Sequence, residues 1–418
     1  MTWMLLYLLT AFVIGRVQEL FKFLMPLRIV LIVGVACAIS TLLTPAGKRQ
    51  PLLRQREVRT VLGLGGLAAV LLPFGVWPGG SLAFLLGNYS KVVVLFLLIV
   101  ALATDAAVTR KLIWAVLLGV GLLGIFTLSG ASLMTSQEYA IGRAAASSTY
   151  DPNDIAMIMV STLPLAVLGA TALRGIGRAG AASVAVICVL AAIKTVSRGG
   201  FIGLAVVTML LLSRLRSAGA RLVAGVAIIA VLGLAAPAAY WNVIDTIWKP
   251  AGTGDVERGI LPRVEIWNLG LNLFLRDPLT GVGIGMYENA AGLAFGRSGG
   301  WVTAHNSFLQ IAAELGLIGL VLFIALLGFS IGNARRVRRA ARTDRGLHEV
   351  EWIATAVEIS LYAYMVVGFA LSQAYAAMFY FLVAVATALR AQLELRERAL
   401  VPIEAATPVL PERLNTAS

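Results

Sequence analysis

Apolar runs of about twenty residues recur along nearly the whole chain, with short arginine and lysine clusters between them, and nothing else in the sequence constrains the fold so strongly. A helix that crosses a bilayer needs about 20 mostly apolar residues, within a range of about 17–25. That rule places twelve spans, near residues 2–15, 27–45, 60–77, 91–109, 112–131, 153–173, 180–196, 200–214, 219–240, 303–332, 353–372 and 374–391. The count becomes eleven if the short first segment lies in the interface instead. Composition agrees: 59% of the residues are hydrophobic and 13% charged, against roughly a quarter charged in an average soluble domain. Too little charge is present to wet the surface of a soluble core of this size. A soluble enzyme, a disordered chain and a disulfide scaffold are excluded, and the expected fold is an all-α polytopic membrane protein.

The basic clusters set the orientation. With both termini inside, the inner segments hold Lys48, Arg49, Arg54, Arg56, Arg59, Arg110, Lys111, Arg174, Arg178, Arg214, Arg216, Arg221, the run Arg335 to Arg345, and Arg390, Arg396, Arg398 and Arg413. Together they account for 22 of the 34 basic residues. Every inner loop satisfies the positive-inside rule. The net charge of +13 therefore reports topology, not a nucleic-acid surface, since no continuous basic face is formed. The other 12, among them Arg16, Lys91, Arg198 and Arg263, fall outside or near the outer face, and the long outer segment 241–302 holds five of them. Some are interfacial anchors whose stems snorkel to water; the rest direct the search for binding chemistry to that side.

Cys37 and Cys188 lie in separate apolar runs and are expected to be free, membrane-embedded thiols. The N-terminus lacks a basic start and a small-residue cleavage site, so it is read as a first span and not a removed signal. Residues 1–400 are read as one transmembrane domain, and the polar 401–418 tail as disordered and cytoplasmic.

Only two histidines occur, His305 and His348. His348 sits beside Glu349 in the arginine-rich loop and reads as solvated. His305, in Trp301-Val-Thr-Ala-His305-Asn-Ser, leads into an apolar helix on the outer side. It has a capping or interfacial reading and a chemical one. An imidazole near the positive end of a helix dipole is poised to accept a proton, which suits a general base near neutral pH.

Arginine supplies the second role. Pro262-Arg-Val-Glu-Ile-Trp267 opens a helical run to Leu275, with Pro at a plausible first position. Arg263, Trp267 and Gly270 then share one face. Arg198 lies in Lys194-Thr-Val-Ser-Arg198-Gly-Gly200, a polar hinge between two spans. Guanidinium groups at a membrane boundary mark a site or a headgroup contact, and their planar fork matches phosphate oxygens. A structural pair of Arg263 with Glu265 or Asp277 is the alternative. Asp151-Pro-Asn-Asp154 begins a span and reads first as a helix cap. Gly281-Val-Gly-Ile-Gly285 has no βαβ unit around it and reads as a flexible turn, not a dinucleotide loop. No metal-ligand spacing is present on the outer side, and no cofactor is expected.

Taken in order, Asp151-Pro-Asn-Asp154, Ser197-Arg-Gly-Gly200, Arg263 with Trp267, Asp277 to Gly285, and His305-Asn-Ser-Phe-Leu-Gln-Ile-Ala-Ala-Glu-Leu-Gly316 resemble the O-antigen ligase superfamily. The resemblance implies a polytopic glycosyltransferase that takes a glycan from undecaprenyl diphosphate at the periplasmic face of the bacterial inner membrane. The acceptor it implies is a lipid A–core sugar, another glycan repeat or a protein hydroxyl. It gives Arg198 and Arg263 the diphosphate-binding roles and His305 the role of activating base, with Asn306, Trp267 and Asp151 in support. It also implies inversion at the anomeric carbon without a metal ion.

Elementary chemistry is consistent with that reading. A lipid diphosphate is already a good leaving group and needs its developing charge neutralised. The acceptor hydroxyl needs a base, and single displacement needs no second carboxylate. The reading from another class is a transporter or flippase of a lipid-linked anion. Transporters place ionisable groups near the bilayer midplane, whereas here the polar groups collect at one face.

Overall fold

Each apolar run closes its own backbone hydrogen bonds as a helix, because a chain in lipid has no water to satisfy its N–H and C=O groups. The computed structural model describes residues 1–130, 133–134, 143–144, 150–215, 217–223, 225–226, 261–294, 302–344 and 347–399. The helices are α1 (Thr2–Gly15), α2 (Ile29–Leu43), α3 (Arg56–Val70), α4 (Pro78–Leu102), α5 (Ala106–Ser129), α6 (Pro152–Ala172), α7 (Gly175–Lys194) and α8 (Arg198–Leu212). They continue with α9 (Leu261–Arg276), α10 (Tyr287–Ala294), α11 (Ser307–Thr343), α12 (His348–Gly368) and α13 (Ala377–Ala399). Among the described residues, strand pairing is limited to Leu133–Met134 against Arg143–Ala144. The protein is an all-α polytopic membrane protein. Seven of the described helices, α4 to α7 and α11 to α13, are long and apolar enough to cross a membrane, and α1, α2 and α8 are shorter apolar helices.

Several boundaries differ from the sequence expectation. The third apolar helix ends at Val70, and the fourth starts at Pro78, not near residue 91. Proline at a first helical position is preorganised for helix, and a π turn over Leu85–Tyr89 carries the helix on to Leu102. Lys91 therefore lies near the middle of α4 on an exposed side, not at the outer edge. Arg110 and Lys111 belong to α5, whose start is capped by Asp105 accepting from Val108 N at 2.9 Å. The arginines from 335 to 342 continue α11 as helix where the sequence suggests a loop. The expected span 219–240, apart from its first residues, lies outside the described residues. So do 241–260 and 295–301 of the outer segment and the 401–418 tail.

The packing is that of a membrane bundle. Small residues let helices approach closely: a Cβ on Gly15 of α1 would fall 2.5 Å from the Gly119 backbone of α5. Helix α13 is buried on all sides from Ala377 to Leu389, as an apolar-all-round helix must be. Polar contacts sort to the two ends. At one end Glu358, 3% exposed, accepts from Arg335 Nε at 3.0 Å and Arg338 Nε at 2.7 Å. There too Arg396 pairs with Asp344 at 2.9 Å, and Arg110 pairs with Glu349. The other end gathers the segments singled out above.

Candidate active site

Residues 369–376, between α12 and α13, are the hub of that second end. The His305 N–H donates to Ser372 Oγ at 2.7 Å, Ser307 Oγ donates to Leu371 O at 2.7 Å, and the Gln373 N–H donates to Ser307 Oγ at 2.9 Å. Gln373 Nε2 also donates to Asp154 Oδ1 at the start of α6. The N-terminus of α8 touches the same loop: a Cβ on Gly199 would meet Ala370 Cβ at 3.3 Å. Ser197 caps α8 by accepting from Gly200 N at 3.2 Å, and its hydroxyl bonds Asn153 Oδ1 at 2.8 Å. Hydroxyl and amide groups thus tie α6, α8, α11 and the loop together.

The start of α11 divides its labour between neighbours. Asn306 Oδ1 accepts from Phe308 N at 2.9 Å and Leu309 N at 3.1 Å, which is N-capping. His305 is thereby released from the capping role. Its backbone sits at φ +46°, a left-handed conformation costly for a residue with a Cβ. Hydrogen bonds at both its N–H and its carbonyl hold it there, the latter accepting from Trp267 Nε1 at 3.4 Å. Thr303 Oγ1 lies 3.4 Å from imidazole Nδ1 and 3.3 Å from Nε2.

Helix α9 runs beside this turn. A Cβ on Gly270 would meet Leu309 of α11 and the Tyr287 hydroxyl at 2.8 Å each. The face shared by Arg263, Trp267 and Gly270 is therefore the face turned toward His305 and α11. Asp277, a pairing alternative for Arg263 on the sequence alone, lies 3.9 Å from Arg276. Arg198, the first residue of α8, and Arg263 are both half-buried.

The glycine turn is pinned, which corrects the expectation that it is flexible. Helix α11 breaks at Gly316 (φ +66°, ψ −167°), and the break frees carbonyls and an N–H that an unbroken helix would use. Val282 N donates to Ala313 O at 2.8 Å, Gly283 N to Glu314 O at 3.0 Å, and Leu317 N to Pro278 O at 2.8 Å. Gly281 has φ +63°, and a Cβ there would lie 2.5 Å from the Glu314 backbone. The Glu314 carboxylate, 1% exposed, completes the joint by accepting from Gly285 N at 2.8 Å, Tyr287 N at 3.3 Å and the Tyr375 hydroxyl at 2.7 Å. Burial, and then the neighbouring Glu314 charge, push the Tyr375 phenol well above its ordinary range, so it stays a donor.

The Asp151 motif splits into two roles. Asp151 itself is a helix cap, in a reciprocal capping box with Asp154. Asn153 and Asp154 are the members of that motif that reach other segments. Glu314 lies within the His305-to-Gly316 motif but is given no role there, and Ser372, Gln373 and Tyr375 escape a reading of the sequence. Their only sequence signal is a polar break, Ser372-Gln373, between two apolar runs. Arg16 reads in the sequence as one more basic residue near the outer face; in the structure it sits at φ +49°, pairs with Glu19 at 3.3 Å and stacks 5.0 Å from the Tyr150 ring centroid beside Asp151. Among the described residues, no three His, Cys, Asp or Glu side chains group closely enough to hold a metal ion.

Residues 183–324 match the family model described as O-Antigen ligase. The match supports the O-antigen ligase superfamily. The matched stretch contains Arg198, Arg263, the glycine turn and His305, and so holds most of the hydrogen-bonded assembly just described. The Asp151 capping box and residues 369–376 lie outside the match and pack onto it. No curated protein matches the chain. This likeness supports a membrane glycosyltransferase of the O-antigen ligase and polymerase type.

Proposed function

We propose that the protein transfers a glycan from undecaprenyl diphosphate to a hydroxyl of a lipid A–core acceptor, at the periplasmic face of the inner membrane, with both termini cytoplasmic. The observation that carries this reading is the meeting of the α8 start, the Trp267 face of α9 and the His305 turn around residues 369–376. That meeting supports a reading in which Arg198 and Arg263 serve one site with His305.

The acceptor O–H attacks the anomeric carbon while the bond from that carbon to the diphosphate oxygen breaks. The bonding pair leaves with the diphosphate, whose growing charge Arg198 and Arg263 neutralise. The acceptor proton passes to the His305 imidazole. One displacement inverts the anomeric configuration. No residue need become glycosylated in a single displacement.

Incubation of the purified protein with lipid-linked glycan and lipid A–core tests the reading. Glycan appearing on lipid A–core with inverted linkage supports it. Elongation of the lipid-linked glycan, or glycan on a protein acceptor, would instead assign polymerase or protein-transferase activity within the superfamily. Movement of intact donor across a vesicle membrane with no transfer would point to a transporter.

A further inference from the structure

At the arginine-rich end, far along the bundle from His305, a cavity of about 810 Å³ lies between α2, residues 46–54 and α4. Its walls are apolar, including Ala38, Leu42, Val94, Leu97 and Leu98. Leu42 and Leu53 at its edge remain 74% and 66% exposed, as side chains do where a helix bundle meets acyl chains. Its polar lining is different. Arg49 Nε and Gln50 Oε1 are buried without a hydrogen-bond partner among the described residues.

Both orphaned atoms are fixed in kind. Gln50, 4% exposed, donates from Nε2 to Ala103 O at 2.6 Å and from its backbone N–H to Ala101 O at 2.9 Å. Its amide nitrogen is therefore committed, and the free atom is the acceptor oxygen. Arg49 Nε is a charged donor. A buried donor and a buried acceptor left open cost free energy until a ligand supplies a partner for each. The surrounding segment carries Lys48, Arg54 and Arg59 as well. Its one acid, Glu57, is already engaged by Arg56 and Asn333 at 2.9 Å each.

We propose that this cavity binds an anionic glycerophospholipid whose headgroup carries a hydroxyl, of the phosphatidylglycerol class. The phosphate oxygens answer Arg49 and the local positive charge, the glycerol hydroxyl donates to Gln50 Oε1, and the acyl chains cover the apolar walls. Free phosphate leaves those walls bare. A choline headgroup offers Gln50 no donor and carries no net charge to answer the arginines. The site is separate from the proposed transfer chemistry, and its test does not depend on turnover.

Native mass spectrometry of the full-length protein, given equal phosphatidylglycerol and phosphatidylcholine, reads the proposal directly. At about fivefold per nearby basic residue, Arg49 and Arg54 together should favour phosphatidylglycerol by roughly 25-fold. Arg49→Gln with Arg54→Gln should bring the ratio near one, and Leu97→Trp should remove the bound lipid by filling the cavity. Gln50→Leu should erase the preference for phosphatidylglycerol over phosphatidic acid. Arg336→Gln, an exposed arginine of the same end, should leave every ratio unchanged. Equal retention of both lipids in the wild type, an unaltered ratio in the Arg49 and Arg54 variant, an equal loss in Arg336→Gln, or displacement by inorganic phosphate would each overturn the proposal.

Discussion

The two ends of the bundle use polar residues in opposite ways. At the arginine-rich end charges meet charges: Arg335 and Arg338 on Glu358, Arg396 on Asp344, and Arg336 on Glu397 at 3.6 Å. At the His305 end hydroxyls, amides and one buried carboxylate hold backbone groups instead, through Ser372, Ser307, Asn306 and Glu314. The pairs made by Arg336 and Arg396 are exposed and contribute little to stability, typically about 0–1 kcal/mol, whereas Glu358 is buried beneath Arg335 and Arg338 and its contacts count for more. Bonds to backbone fix positions within a narrow range, as the transfer site proposed above would require. The lesson is that at one end charges pair mostly with charges, while at the other geometry is held mostly by bonds to backbone groups.

The sharpest way to break the comparison is to remove the imidazole. General-base help is worth about 10²–10⁴-fold, so His305→Ala should lower the transfer rate by that much. Donor binding and thermal stability should hardly change. The wild-type rate should rise with pH, because the neutral imidazole is the form that accepts the proton, and His305→Ala should flatten that rise. Turnover equal to wild type in the purified variant would remove His305 from the chemistry.

Next in size is the guanidinium geometry. Charge-assisted hydrogen bonds contribute about 1.5–3 kcal/mol, so Arg198→Lys or Arg263→Lys should each raise the donor KM by about 10–100-fold, since a point charge loses the bidentate fork. Lysine at Arg336 or Arg342, at the opposite end, should leave donor KM unaltered. A donor KM that responds equally to both pairs would mean that bulk positive charge, and not two placed forks, handles the donor.

The glycine joint follows. Gly281 and Gly316 both occupy positive φ, and at each a methyl group would fall within 3 Å of neighbouring backbone. Forcing a side chain there costs on the order of 1–3 kcal/mol each. Gly281→Ala should therefore lower the melting temperature and reduce transfer by about tenfold, by shifting the turn that Glu314 clamps. Gly328→Ala in α11, where a Cβ meets nothing within 4 Å, is the control and should do neither.

What can be read from the residues alone follows the range of the interactions. The spans are legible because a transmembrane helix satisfies its backbone within itself, so each apolar run reports on itself alone; Lys91 misleads because the π turn before it continues the helix past polar residues. His305 stands out by rarity, and Arg198 and Arg263 by cost at a membrane boundary. The contacts that place them are not legible. Gln373 meets Asp154 across 219 residues of sequence, and no local pattern encodes such a meeting. Likewise the sequence offers His305 a capping role, and the backbone gives that role to its neighbour Asn306.

The smallest expected effect probes the neutral contacts themselves. Ser372 accepts from the His305 N–H, a bond that helps to hold a left-handed residue at φ +46°. An ordinary hydrogen bond contributes about 0.5–1.5 kcal/mol, so Ser372→Ala should slow transfer by about two- to tenfold with donor KM unchanged, and Ser372→Thr should restore most of the rate. Glu358→Gln at the other end should do the reverse, lowering thermal stability by weakening the contacts to Arg335 and Arg338 while leaving the rate alone. If Ser372→Ala instead reduced stability without touching the rate, the bond would be a structural tie like those of the arginine-rich end, and the contrast between the two ends would not extend to the residue that positions the base.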